Sequence, residues 1–126
     1  MKYVVRAKIN PQEKGDPAKY YAVAKKVSNI TLDDIAKEIE KRSSLTRGDI
    51  LSVLSNLVEV IPLFLRNGNS VSLGDFGTFR LTLQGEGKNT PEEVNARSVK
   101  KVRTVFISGT GLKKELAGTP IEKFPE

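Results

Sequence analysis

Gly68-Asn69-Ser70-Val71-Ser72-Leu73-Gly74-Asp75-Phe76-Gly77-Thr78-Phe79-Arg80-Leu81-Thr82-Leu83 decides the fold. Val71 and Leu73 alternate with polar neighbours, as a strand with one covered face requires. Gly74 and Gly77 bracket a turn, and Thr78 to Leu83 resumes β-rich, alternating chemistry. The stretch predicts a hairpin made of a short strand, a tight glycine turn and a longer strand.

Working upstream, Asn67-Gly68-Asn69 is a helix terminator. Before it, Thr46 and Asp49 have the spacing of a helix cap, and Ile50, Leu51, Val53, Leu54, Leu57, Val58, Ile61, Leu63, Phe64 and Leu65 follow. A helix over 46–66 is predicted, apolar around most of its circumference, with Pro62 kinking it or adjusting its last turn. Such a helix lies either at an interface between two chains or fully enclosed in one. A chain of 13.9 kDa has little material to enclose it, so the interface is the expectation. Further upstream, Thr31 and Asp34 form a capping box ahead of Leu32, Ile35, Ala36 and Ile39, which share one face of a helix over 32–42. Ser43-Ser44-Leu45 breaks it.

Downstream, Gln84 to Arg97 carries Gly85, Gly87, Asn89, Pro91 and Asn95 among charges, with only Val94 and Ala96 apolar. Apolar character returns at Val99, Val102, Val105, Phe106 and Ile107. The pattern describes a protruding β-ribbon arm, the plainer alternative being an irregular loop of about 14 residues. Ser108-Gly109-Thr110-Gly111 leads into one or two helical turns at Leu112–Leu116, and the tail from Ala117, with Gly118, Pro120 and Pro125, reads as extended. At the other end, residues 2–9 and 20–27 read as strands flanking a turn cluster with Pro11, Gly15, Asp16 and Pro17. A lone two-stranded ribbon is marginal, so this hairpin should dock on something.

The 126 residues fit one domain of ordinary size. No uninterrupted apolar run reaches the roughly 18 residues of a membrane span, and no secretory leader is evident. Histidine and cysteine are both absent. That removes disulfides, thiolate nucleophiles, the usual zinc sites and imidazole acid/base catalysis. The net charge of +6 is unevenly placed: +5 over residues 1–29, −2 over 30–76, +5 over 77–114 and −2 over 115–126. Basic blocks on particular elements point to a polyanionic partner, although surface lysine also serves solubility.

Two chemical motifs fail on inspection. Gly85-Glu86-Gly87-Lys88-Asn89 imitates a phosphate loop, but that loop needs glycine at 82 and Ser or Thr at 89, where Thr82 and Asn89 stand. The acid pairs Asp33/Asp34 and Glu92/Glu93 diverge, as sequence neighbours do on helices and strands. No enzyme, cofactor, metal or small-molecule substrate is expected.

The segment from Gly68 to Phe79, followed by a basic arm and then Ser108-Gly109-Thr110-Gly111-Leu112-Lys113, resembles the signature of the HU/IHF family of bacterial histone-like DNA-binding proteins. The resemblance covers about residues 30–116, including both helices. It implies an α+β fold: an intertwined homodimer with a two-helix base, a β-sheet saddle, protruding β-ribbon arms and a short C-terminal helix, here with an N-terminal β-hairpin added. It divides the chain into an extension at 1–29, an HU-like domain at 30–116 and a tail at 117–126.

The same resemblance implies double-stranded DNA as partner, bent without sequence specificity through the minor groove, and a cytoplasmic, nucleoid-associated location without a membrane role. Phosphates then need Arg80, Lys88, Arg97, Lys100, Lys101 and Arg103, with Lys113 and Lys114 near the last helix. Three departures stand out. The family's arm tip reads Arg-Asn-Pro, with the proline as a wedge between base pairs. Here Asn89-Thr90-Pro91 has one residue inserted, so Pro91 is either that wedge or a turn proline, and Glu92 and Glu93 follow it. Thr110 stands where the family often places Lys. The 29 residues before the first helix resemble an N-terminally elaborated branch, and they either extend the DNA surface or add strand edges. The alternative function is an HU-like scaffold for protein assembly through these strands, with weak or no DNA binding.

Overall fold

The structure, a computed structural model, describes every residue except Asn10, Pro11, Glu13, Lys14, Asp16 and Glu126. Pro11 and Asp16 of the predicted turn cluster therefore lie outside the described residues. The chain divides into two compact units, one of residues 1–29 with 116–126 and the other of residues 30–115.

In the larger unit, α1 (Leu32–Glu40) begins as its sequence dictates. The Thr31 hydroxyl accepts the Asp34 backbone N–H, and the Asp34 carboxylate accepts the Thr31 N–H at 3.0 Å. The Thr31 N–H and the Thr31 hydroxyl both donate to the Asp34 carboxylate, which favours its ionised form and holds the Asp34 pKa below its ordinary value. Asp33 points elsewhere, pairing with Lys37 at 3.5 Å and Arg47 at 3.2 Å. α2 (Arg47–Arg66) has only half of the expected cap. Thr46 accepts from Asp49, and Glu40 of α1 satisfies another first-turn donor by accepting the Arg47 N–H at 2.7 Å. α2 continues through Pro62.

Its end is closed by two bonds of the Schellman type. Gly68 N–H donates to Leu65 C=O and Asn69 N–H to Phe64 C=O, with Gly68 at φ 89°, where a side chain would be strained. By length and composition α2 could also cross a membrane. Most of its apolar residues nevertheless fall into two stripes. Ile50, Leu54, Ile61 and Leu65 are buried or half-buried, whereas Val53, Leu57, Val60 and Phe64 are 38–63% exposed.

The predicted hairpin follows. β3 (Val71–Ser72) pairs antiparallel with β4 (Gly77–Gly85), which pairs with β5 (Val99–Ser108) to complete a three-stranded sheet in the order β3-β4-β5. A 3-10 turn, Gly74–Phe76, joins β3 to β4. α3 (Thr110–Ala117) follows β5 directly. A Cβ on Gly77 would lie 2.5 Å from the Ile107 carbonyl oxygen and 2.6 Å from the Phe106 ring, and one on Gly109 would overlap the Asp75 carbonyl. These glycines let the turn close onto the end of β5, where Gly109 N–H donates to Phe76 C=O at 2.9 Å and Phe76, Phe79 and Phe106 cluster with centroids 4.7–5.4 Å apart.

The β-ribbon reading of 84–97 holds only in part. Strand pairing ends at Gly85 opposite Val99, with a bulge between Gln84 and Gly85. Beyond it, residues 91–93 and 96–98 form 3-10 turns. Pro91 opens the first and has no N–H for a ladder, while Asn95 and Ser98 cap the second reciprocally. The backbone bonds locally there instead of across the ribbon.

The smaller unit is a three-stranded sheet in the order β2-β1-β6, from β1 (Lys2–Lys8), β2 (Lys19–Ala24) and β6 (Glu122–Lys123). β1 and β2 form the expected hairpin, in register Tyr3↔Ala24 through Lys8↔Lys19. β2 is shorter than 20–27, because β1 begins at Lys2 and offers nothing opposite residues beyond Lys25. β6 was not expected. It runs parallel to β1, with Glu122 N–H donating to Met1 C=O at 3.0 Å and Phe124 N–H to Tyr3 C=O at 2.8 Å. Across the described residues of both units, the buried hydrophobic side chains are only Val4, Ala36, Ile50 and Leu65.

Candidate nucleic-acid interface

Period-two alternation sorts the β4–β5 ladder into two faces. Phe79, Leu81 and Leu83 of β4 stand opposite Phe106, Thr104 and Val102 of β5. Phe79, Leu81 and Thr104 look toward α2 and, with Val58, Ile61 and Leu65, line an apolar cavity of about 320 Å³. The other face carries Arg80 opposite Val105, Thr82 opposite Arg103, and Gln84 opposite Lys101. Arg80, Lys101 and Arg103 are exposed there and, among the described residues, make no ion pair. Three guanidinium and ammonium groups share one polar sheet face whose reverse faces the helix.

The remaining residues of the expected site are dispersed. The bulge leaves Lys100 without a cross-strand partner, and its ammonium donates to Glu86. Glu86 also lies 3.6 Å from Lys88, so one carboxylate holds two expected phosphate contacts. Arg97 lies in the 3-10 turn after Asn95, Pro91 opens the preceding turn beside Glu92 and Glu93, and Lys113 and Lys114 lie on α3. All of these side chains are exposed. The sequence assigns Lys88 and Lys100 to phosphates alongside the other basic residues and does not bring out Glu86 as the counter-charge of these two, although its spacing two residues before Lys88 is a signal.

Comparison with known proteins gives a consistent answer. The chain is 30% identical over 87 residues to the DNA-binding protein HRL18 of Rhizobium leguminosarum, covering 64% of this chain and 91% of that one. It is 28% identical over 92 residues to the DNA-binding protein HRL53 of the same organism, covering 68% and 97%. Among solved structures, a candidate bacterial DNA-binding protein from Bacteroides vulgatus matches 97% of this chain with a TM-score of 0.66 at 14% identity. The chain spans 47% of that protein's length. Anabaena HU, crystallised with DNA, matches 71% of this chain and 99% of its own with a TM-score of 0.50 at 19% identity. These two share its fold. Residues 1–123 match the family described as an HU domain fused to a wHTH, Ig or glycine-rich motif, so the N-terminal strands fall within the family pattern, and the chain belongs to that HU-type family.

Proposed function

We propose that the protein is a non-sequence-specific architectural DNA-binding protein that bends or compacts duplex DNA as a homodimer in the bacterial nucleoid. The observation that carries this reading is the polar β4–β5 face, on which Arg80, Lys101 and Arg103 stand free while the reverse face is turned to α2. Cations on such a face bind phosphates and release counterions, so on this reading affinity follows salt more than sequence. The residues from 30 to 116 form the DNA-binding domain in this reading, with Arg97, Lys113 and Lys114 at its flanks and Pro91 at the arm tip. The exposed stripe Val53, Leu57, Val60, Phe64 supports the dimer: its spacing of four, three and four residues is that of a helix seam awaiting a partner.

A second reading, an HU-like scaffold for protein assembly, is favoured by Glu86, which neutralises two arm lysines, and by Glu92 and Glu93 beside Pro91. A gel-shift titration on a plain and a distorted duplex at two salt concentrations decides between them. Affinities for unrelated duplexes within about tenfold of each other, falling steeply with salt, support the architectural role. A salt-independent affinity, or no duplex binding at about 50–100 mM salt, overturns it.

A further inference from the structure

The smaller unit carries a charge pattern that the β4–β5 face does not explain. Along β1, Lys2, Arg6 and Lys8 alternate with Tyr3, Val5 and Ala7. The antiparallel register places Lys19 opposite Lys8, Tyr21 opposite Arg6 and Val23 opposite Val4. Every cation of these two strands therefore stands on one face, together with Tyr21, Val23 and the buried Val4, while on the other face β1 and β2 present Tyr3, Val5, Ala7, Tyr20, Ala22 and Ala24, with Lys123 of β6 beside Tyr3. Lys25 follows on the cationic side, its N–H bonded to Lys2 C=O and its ammonium 4.9 Å from the Phe124 ring centroid.

Among the described residues, compensation on this face is slight. Glu122 is the one acid of the unit among the described residues, and it is taken by Lys2 at 2.7 Å. Arg6, Lys8 and Lys19 are exposed and have no ion pair among the described residues. Two of the groups are held in position: the Lys8 ammonium sits 5.4 Å from the Tyr21 ring centroid, and Arg6 donates to the Val5 carbonyl at 3.1 Å. Gathering cations on one face of a small sheet raises their mutual repulsion, which a polyanion relieves and a single small anion does not. Arg6 and Lys8, two residues apart on a strand, are spaced by about 6.7 Å. That spacing lets the two side chains reach different phosphates of one DNA strand. Neither β1 nor β2 contains an amide side chain that could read a base.

We infer that the cationic face of the β1–β2 hairpin, built by Arg6, Lys8 and Lys19, is a second surface for the phosphate backbone of duplex DNA, separate from the β4–β5 face. The inference rests on the reading of the protein as a DNA binder, and the experiment separates the two. Affinity for a duplex is measured from low to moderate salt for four forms of the full chain. These are the wild type, the set Arg6→Ala, Lys8→Ala and Lys19→Ala, the charge-conserving set Arg6→Lys, Lys8→Arg and Lys19→Arg, and the set Arg80→Ala, Lys101→Ala and Arg103→Ala. Circular dichroism confirms folding, which exposed side chains do not threaten.

The alanine set on β1 and β2 is expected to lower the salt slope by about 2–3 per protomer, with each lost phosphate contact worth about 0.9, and the charge-conserving set to keep it. An unchanged slope and affinity in the β1–β2 alanine set, with loss in the β4–β5 set, overturns the inference and leaves the DNA-binding function standing. Absence of duplex binding by the wild type overturns both. Pelleting with phosphatidylserine vesicles that the β1–β2 alanine set abolishes, with DNA affinity unchanged, assigns the face to a membrane surface and also overturns the inference.

Discussion

Glu86 is the place where a single substitution should strengthen DNA binding. Its carboxylate takes the Lys100 ammonium and lies 3.6 Å from Lys88, so in the free protein two arm cations face an acid instead of a phosphate. Glu86→Gln keeps the shape and removes the charge. The folded protein should hardly notice, because exposed pairs of this kind are worth about 0–1 kcal/mol and are screened by salt. Binding should respond more strongly. If both lysines then reach phosphates, the slope of log affinity against log salt steepens by about 1.8 per protomer. Between 200 and 50 mM salt that slope is worth about twelvefold in affinity.

Fluorescence anisotropy of a labelled duplex over this range reads the effect. Glu38→Gln is the control, since Glu38 pairs with Lys41 on α1 and its loss changes the net charge equally. A steeper slope for Glu86→Gln alone bears the reasoning out. The same slope in wild type, Glu86→Gln and Glu38→Gln refutes it, and shows that Lys88 and Lys100 do not serve DNA.

Gly109→Ala drives a methyl into the Asp75 carbonyl and endangers the Gly109–Phe76 bond, so urea unfolding should show a loss of roughly 2 kcal/mol. Gly87→Ala, which meets nothing within 4 Å, should stay within about 0.5 kcal/mol of wild type. Thr31→Ala removes the hydroxyl that accepts from Asp34 N–H and should lower stability by about 1 kcal/mol in the same assay. Because the Asp34 pKa is lowered on folding, its contribution is complete above the ordinary Asp value and is lost as pH falls through and below about 4; Asp34→Asn should flatten that acid limb of the stability curve. Leu57→Ala, in the exposed α2 stripe, should weaken self-association by roughly 10- to 100-fold, from the about 1.5–3 kcal/mol that burying a leucine side chain contributes. Sedimentation that does not distinguish this variant from wild type removes the stripe from the interface.

Much of the fold was legible because it is specified locally. Thr31 and Asp34 have one way to satisfy the first turn of α1, and Gly68 gives α2 one low-strain way to end. The Gly74–Gly77 turn sets the β3–β4 register by its length. β6 escaped because two residues of strand carry no periodicity; Glu122 and Lys123 become a strand only through β1, at the far end of the sequence. The division of α2 into a covered and an open stripe was equally hidden. Composition showed a helix apolar nearly all round, whereas its packing against α1, β3 and β4 decides which leucines remain exposed.

Lys100 and Lys101 show why the site was harder to read than the fold. They are neighbours of one chemistry, and composition assigns both to DNA. Had β4 and β5 paired without interruption, the two would simply have faced opposite sides of the sheet. The bulge after Gln84 instead leaves Lys101 on the polar face opposite Gln84, while Lys100 falls out of the ladder and meets Glu86. The bulge is stabilised by backbone contact, since Gly85 lets the Ser98 carbonyl approach where any Cβ would stand. A glycine chosen for close approach therefore decides which of two lysines is free to bind. The charge of this chain acts through its strand register, and register depends on pairings that no count of basic residues contains.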